Sequence, residues 1–202
     1  MNRDLLREHY LVVKNFISSE RAKEVSDDFV DFHKEVKFNP DNHVPNAPAW
    51  TNHITHLELL CEFIPRISDI VGHTVLPTYT CGRLYRNGCI LTRHIDRPAC
   101  EISVTLHLDG DKEWPFWLRT SYGEEHSVIL NPGDAIIYLG CCADHWRNAY
   151  QGEYYNQVFL HYVRSRGFCR HAWFDKNRLP ENIEDGSLRI SNRLKQEYYE
   201  LR

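Results

Sequence analysis

In the stretch "RNGCILTRHIDRPACEISVTLHLDG", His94 and Asp96 stand two residues apart, just ahead of a run of alternating character. On a strand, residues i and i+2 point to the same side, so an imidazole and a carboxylate at this spacing can share one ion. With 12 His among 202 residues, chance alone supplies about one His-x-Asp triplet, so the triplet needs a partner to mean anything. His145 in "GCCADHWRN" is the best candidate, 51 residues beyond His94 and directly after "NPGDAIIYLG", a turn followed by an apolar strand. Two imidazoles and one carboxylate on one side of an ion leave the opposite positions open, the facial arrangement that suits non-haem Fe(II). Zinc fits such a donor set too, but a zinc hydrolase needs a general base beside the ion. Glu101 is the only near candidate for that role.

These residues must be carried by a scaffold. "YLVVKNF" (10–16) reads as a strand, and "SSERAKEVSDDFVDFHKEV" places Val25, Phe29, Phe32 and Val36 on one face of a helix. Ser18 or Ser19 can cap that helix, with Glu20 in its first turn. The Pro- and Asn-rich segment 39–53 reads as a loop. A second amphipathic helix follows, with Leu57, Leu60, Cys61 and Ile64 on one side, interrupted at Pro65 and ended by Gly72. His53 and His56 read as a polar pair on the surface where this helix starts. From Val75 the pattern changes to short strands separated by "RNG", "DGD", "SYGEE", "NPGD" and "YQGE", which fits an antiparallel sandwich or barrel. Asn87-Gly88 is a strong hairpin signal. "SLRISNRLKQEYYELR" reads as a terminal helix capped by Ser187.

Two strands run with period two. Ile102, Val104, Leu106 and Leu108 oppose Ser103, Thr105 and His107; Val158, Leu160 and Tyr162 oppose Gln157, Phe159 and His161. Either the polar faces meet water, or they line the mouth of a barrel. The histidines that recur on them favour the lining.

A chain of 202 residues implies one domain: an N-terminal part (1–74), a strand-rich core (75–165) and a tail (166–202). The net charge of −4 argues against general nucleic-acid binding, which calls for excess Lys and Arg. No stretch is apolar and long enough to cross a bilayer, and "MNRDLLREHY" lacks the apolar core of a signal peptide. Seven scattered cysteines without a CxxC pair read as reduced thiols of a cytoplasmic protein. Cys141 and Cys142 read as buried structural thiols and Trp146 as packing.

The order "KNFIS", "LYRNGCILTRHID", "ISVTLHLDG", "NPGDAIIY", "HWRNAYQGE", "QVFLHYV" resembles the Fe(II)/2-oxoglutarate-dependent dioxygenases, nearest their prolyl-hydroxylase-like branch, over most of residues 10–165. The resemblance implies a mainly β fold with flanking helices (α+β), a double-stranded β-helix of the jelly-roll, cupin-like kind, with Fe(II) on His94, Asp96 and His145. It also implies 2-oxoglutarate as co-substrate, O2 as oxidant, and hydroxylation of an amino-acid-like, small-molecule or peptidyl (prolyl-type) substrate through a ferryl species. Tyr85 matches the tyrosine that contacts the co-substrate in that branch. One departure stands out. The branch carries Arg or Lys nine to ten residues after the distal His, whereas this chain has Tyr154 and Tyr155 there. The cation that the distal carboxylate requires is then expected from Arg83 or His107, ahead of His161 and Arg147. Tyr155 is a further co-substrate contact by position alone. Arg93, Arg97, Arg119 and Arg147 are expected around the mouth, where they would select an acidic group, and segment 39–53 as a lid. The missing basic residue leaves two alternatives: a metal-binding jelly roll that senses or binds without turnover, and an iron oxygenase with another co-substrate.

Overall fold

A computed structural model describes residues 1–40 and 44–175, together with Gln196 and Glu200. Apart from Gln196 and Glu200, the expected helix after Ser187 lies outside the described residues. The elements run α1 (Arg3–Glu8), β1 (Tyr10–Val13), α2 (Ser19–Glu35), β2 (Asn39–Pro40), β3 (Pro48–Thr51), α3 (Ile54–Glu62), α4 (Ile64–Val71), β4 (Val75–Arg86), β5 (Leu91–His94), β6 (Ile102–Gly110), β7 (Phe116–Arg119), β8 (Glu125–Val128), β9 (Ala135–Tyr138), β10 (His145–Arg147) and β11 (Tyr154–Arg164). Two antiparallel sheets face each other. The larger has the order β1-β9-β6-β11-β4-β3-β2 and the smaller β5-β10-β7-β8. This is a jelly roll, in which the chain passes between sheets instead of pairing each strand with the next.

The helices follow their sequence signals closely. Ser18 caps α2 by accepting the Arg21 N–H, and Gly72 ends α4 at φ +70°. Pro65 sits in the first turn of α4, where no backbone N–H is needed, so the expected single helix breaks at Phe63 into α3 and α4. The buried face of α2 is Ala22, Val25, Ser26 and Phe29; Val36 lies beyond the helix and is exposed. On α3 the core side is His56, Leu59 and Leu60, while Cys61 faces out. The helices cover the outer face of the large sheet, where Ile102, Val104, Leu106, Leu108, Val158, Leu160 and Tyr162 join their apolar side chains in one core.

Three expectations change. The segment expected as a loop holds two strands: β2 pairs with β3, and β3 adds to the large sheet with Ala49, Trp50 and Thr51 opposite Arg83, Gly82 and Cys81. Backbone groups that a loop would leave to water are thereby paired along the exposed edge of β4. His53 and His56 are not a surface pair. Both are buried among Phe29 and Phe32, their rings 5.2 Å apart. Asn87-Gly88 makes a tight turn with Gly88 at φ +78°, but it carries the chain from the large sheet to the small one rather than closing a hairpin.

Candidate metal centre

The register of the small sheet places His145 of β10 directly opposite His94 of β5, and Asp96 follows β5 by two residues. The His94 Nδ1 lies 2.8 Å from the Thr92 carbonyl and the His145 Nδ1 2.9 Å from that of Ala143. A carbonyl only accepts, so each Nδ1 carries the proton and each Nε2 keeps its lone pair. Both Nε2 atoms lie 3.6 Å from Asp96 Oδ1, and one donor atom from each residue falls within 4.8 Å of the others. Bonds of about 2.1 Å at angles between octahedral and tetrahedral separate donors by about 3.0–3.4 Å. The three side chains are thus close to a coordination geometry in their resting rotamers.

The electrostatics agree. Burial alone would raise the Asp96 carboxyl, but the His145, His94 and His161 imidazoles outweigh it and hold the group well below the usual carboxylate range. Burial pushes His145 down, against the pull of Asp96. Burial also opposes the charged form of His94, and the hydrogen bond and charge of Asp96 reverse that, raising it. The carboxylate is therefore ionised and burial favours the neutral form of His145, as metal ligation needs; the raised His94 gives up its extra proton when a metal takes Nε2.

Asp96 can reach this position because of Gly140, a residue whose role no sequence motif announced. The Asp96 N–H donates to the Gly140 carbonyl at 2.8 Å. A Cβ at Gly140 would overlap the Cys100 carbonyl oxygen and stand 2.5 Å from Asp96 Oδ2 and 2.8 Å from Ser103 Oγ. Glu101 does not serve as a base beside the ion. It is fully buried and holds Arg164, accepting from its Nε at 2.7 Å and its backbone N–H at 2.9 Å.

A cavity of about 350 Å³ opens over the three donors, walled by Thr51, Tyr79, Cys81, Leu91, Ile95, Cys100, Tyr138, Phe159 and His161, with Arg83 and Arg97 as its cations. Of the two polar faces, β11 lines the cavity with Phe159 and His161, whereas Ser103, Thr105 and His107 of β6 are not in its wall. The register of β11 against β6 and β4 sets them in rows: His161 beside Ser103, Phe159 between Thr105 and Cys81, Gln157 between His107 and Arg83, and Tyr155 beside Tyr85.

The expected co-substrate contacts therefore separate. Arg83 lies in the cavity wall. Tyr85, His107 and Tyr155 lie outside the lining and pack together deeper between the sheets. The His107 ring stacks on Tyr155 at 4.0 Å. Burial, followed by the charge of Arg147, pushes His107 down to about 3, so it carries no charge at neutral pH. Arg147 points the same way as His145, two residues before it, and is fully buried. Its guanidinium donates to the Trp114 carbonyl and to Gln157 Oε1 at 2.7 Å, and lies 4.5–5.2 Å from the rings of Trp114, Tyr155 and Phe116.

Of the other arginines expected around the mouth, Arg97 alone borders the cavity, lying over the Tyr79 ring while Asp175 grips it at 2.7 and 2.8 Å. Arg93 and Arg119 face outward: Arg93 pairs with Glu125 at 2.7 Å, and both reach Asp144. Arg93 also covers Trp146, which stacks on Trp117, so that tryptophan is outer-face packing.

No family model matches the chain, and no curated protein sequence matches it. Its structure is similar to many solved ones. A prolyl-4-hydroxylase from Pseudomonas putida superposes with a TM-score of 0.66 at 15% identity, over 81% of this chain and 96% of that one. HygX from Streptomyces hygroscopicus, solved with nickel and 2-oxoglutarate, gives 0.63 at 10% identity over 82% and 88%. The non-haem α-ketoglutarate-dependent epimerase SnoN from nogalamycin biosynthesis gives 0.67 at 12% identity over 80% of each chain. The chain shares its fold, a double-stranded β-helix, with these proteins.

Proposed function

We propose that the protein is a non-haem Fe(II)- and 2-oxoglutarate-dependent dioxygenase that hydroxylates a C–H bond of an amino-acid-like or peptidyl substrate. The observation that carries this reading is the convergence of His94 Nε2, His145 Nε2 and Asp96 Oδ1 beneath a cavity that also holds Arg83. The donor set fits the metal: two nitrogens and one ionised oxygen on a single side, with the cavity over the other positions. Bound there, iron and 2-oxoglutarate supply an oxidising centre fed by dioxygen and the two electrons released by decarboxylation.

The chain's own residues bind and orient. His94 and His145 keep lone pairs on the metal because the Thr92 and Ala143 carbonyls fix their tautomers. Arg83 takes the distal carboxylate of 2-oxoglutarate in place of the basic residue missing after His145, since it stands in the cavity wall and Arg147 does not. Leu91, Ile95 and Phe159 exclude water from the space above the metal. None of the seven cysteines is in a disulfide, and the setting we infer is a reducing, cytoplasmic one. Among the described residues, no helix is long and apolar enough to cross a membrane.

Titrating 2-oxoglutarate into the anaerobic Fe(II) protein is expected to produce a weak visible charge-transfer band, absent in His94→Ala. Aerobic incubation with candidate substrates is expected to release succinate above that control. No band would favour a binding module without turnover; a band with succinate unchanged from the control across a broad panel would count against hydroxylation.

A further inference from the structure

The Asp96 carboxylate turns Oδ1 towards the two imidazoles, while Oδ2 accepts the hydroxyl of Ser103 at 2.9 Å. Ser103 Oγ also lies 3.0 Å from His161 Nδ1 and 3.2 Å from the Cys100 carbonyl. A serine hydroxyl has one proton, and the ionised Asp96 is the strongest acceptor within its reach. With that proton committed to Asp96, the contact to His161 requires Nδ1–H of the imidazole to donate to Ser103 Oγ. The three residues form a directed chain, His161 Nδ1–H to Ser103 Oγ–H to Asp96 Oδ2.

Its members are held from several sides. The antiparallel register of β6 and β11 sets Ser103 and His161 opposite each other. The His161 ring lies between Tyr79, at 4.5 Å, and Phe159, parallel at 6.1 Å. Gly140 leaves the space in which Asp96 Oδ2 and Ser103 Oγ meet. Serine and histidine are also costly choices for a strand interior, since each buried polar group must be satisfied. Here they satisfy one another, and the chain ends on a proposed metal ligand.

We propose that Ser103 and His161 are positioning residues that hold Asp96 Oδ2 away from the metal, so that Asp96 ligates through Oδ1 alone and an additional coordination position stays open. The proposal rests on the metal-binding reading of His94, Asp96 and His145. Without the tether, Oδ2 is free to swing onto the ion and close that position. Partners that orient a ligating side chain are typically worth about 10–100-fold in metal affinity.

Anaerobic Co(II) titration tests this, read by the visible d–d bands of the bound ion and by affinity, with the thermal unfolding of each metal-free protein measured alongside. The wild type is expected to bind one Co(II) that His94→Ala does not bind. Ser103→Ala and His161→Phe are expected to bind about 10–100-fold more weakly, because Asp96 is no longer held in its ligating orientation, and with altered d–d bands, because Oδ2 can then reach the ion. Ser103→Thr, which keeps the hydroxyl, is expected to return the wild-type spectrum. A purely structural role would lower the unfolding temperature and leave the spectrum of the bound ion unchanged, which overturns the proposal; so does wild-type affinity in Ser103→Ala. Should that variant fail to fold, His161→Phe carries the same test. A wild type that binds no Co(II) defeats the metal-centre reading itself, an outcome distinct from the failure of the tether.

Discussion

His94 and His145 stand opposite each other across one pair of strands, and Asp96 closes the triangle from the loop that follows. What distinguishes this site at the residue scale is where its positive charge sits. A dianionic co-substrate in a partly dry cavity needs a cation, and the inward row of β4 supplies Arg83 at the cavity wall. Arg83→Ala is expected to weaken 2-oxoglutarate binding by about 10–100-fold, the worth of a charge-assisted hydrogen bond; the charge-transfer titration of the Fe(II) protein measures it. His107→Ala is expected to leave that affinity within about twofold, because a neutral ring stacked on Tyr155 offers little to a carboxylate. Equal losses in the two variants would move the clamp deeper, towards the Tyr85, His107 and Tyr155 layer.

At the scale of elements, the short strand β3 does more than its sequence suggests. It extends the large sheet and brings Thr51 to the cavity rim. Opposite Trp50, Gly82 leaves room for α2 and α3 to pack on this part of the sheet: a Cβ there would run into the Phe29 ring and stand 2.5 Å from His56 Cε1. Gly82→Ala is expected to destabilise the protein by about 1–3 kcal/mol through overpacking, seen as a lower urea midpoint with an unchanged m-value. An unchanged midpoint would mean that α2 and α3 can shift to make room. Turn chemistry was readable without the partner strands, as the positive φ at Gly88 and Gly133 bears out. Which strands a turn connects was not readable. Asn87-Gly88 forms its turn as expected, but the strands on either side belong to different sheets.

Across the whole molecule, several histidines are buried as neutral rings. Burial pushes His56 and His107 down to about 3 and His161 to about 4, with smaller contributions from His53 at His56 and from Arg147 at His107. In the unfolded chain each titrates near 6.5. Between about pH 6.5 and 4 the unfolded chain therefore binds protons that the folded one does not, and stability falls as pH falls. Asp96, itself depressed, adds its loss only below its ordinary value of 3.8. Neither ring nitrogen of His56 makes a hydrogen bond, so His56→Leu removes one titrating group without breaking a polar contact. The slope of unfolding free energy between pH 6 and 4 is expected to fall by about 1.4 kcal/mol per pH unit in that variant, measured by urea unfolding of the metal-free protein. An unaltered slope would mean that His56 is protonated in the folded state.

The sequence by itself determined whatever depends on neighbours along the chain. Period-two faces marked Ser103, Thr105 and His107 as one row, Ser18 marked the start of α2, Pro65 the break between α3 and α4 and Gly72 the end of α4, and the His-x-Asp spacing put two donors on one side. Only the tertiary structure decided what depends on register and on the facing sheet. Asp96 passes Gly140, Ser103 meets His161, Arg83 rather than His107 borders the cavity, and His53 and His56 turn inward against Phe29. The physical reason is the range of the forces. Helix capping, turn preference and strand alternation act over a few residues and leave a local pattern. Cross-strand pairing and close packing join residues far apart in the chain, such as Ser103 and His161, 58 positions apart, and a one-residue shift in register would reverse every inward face.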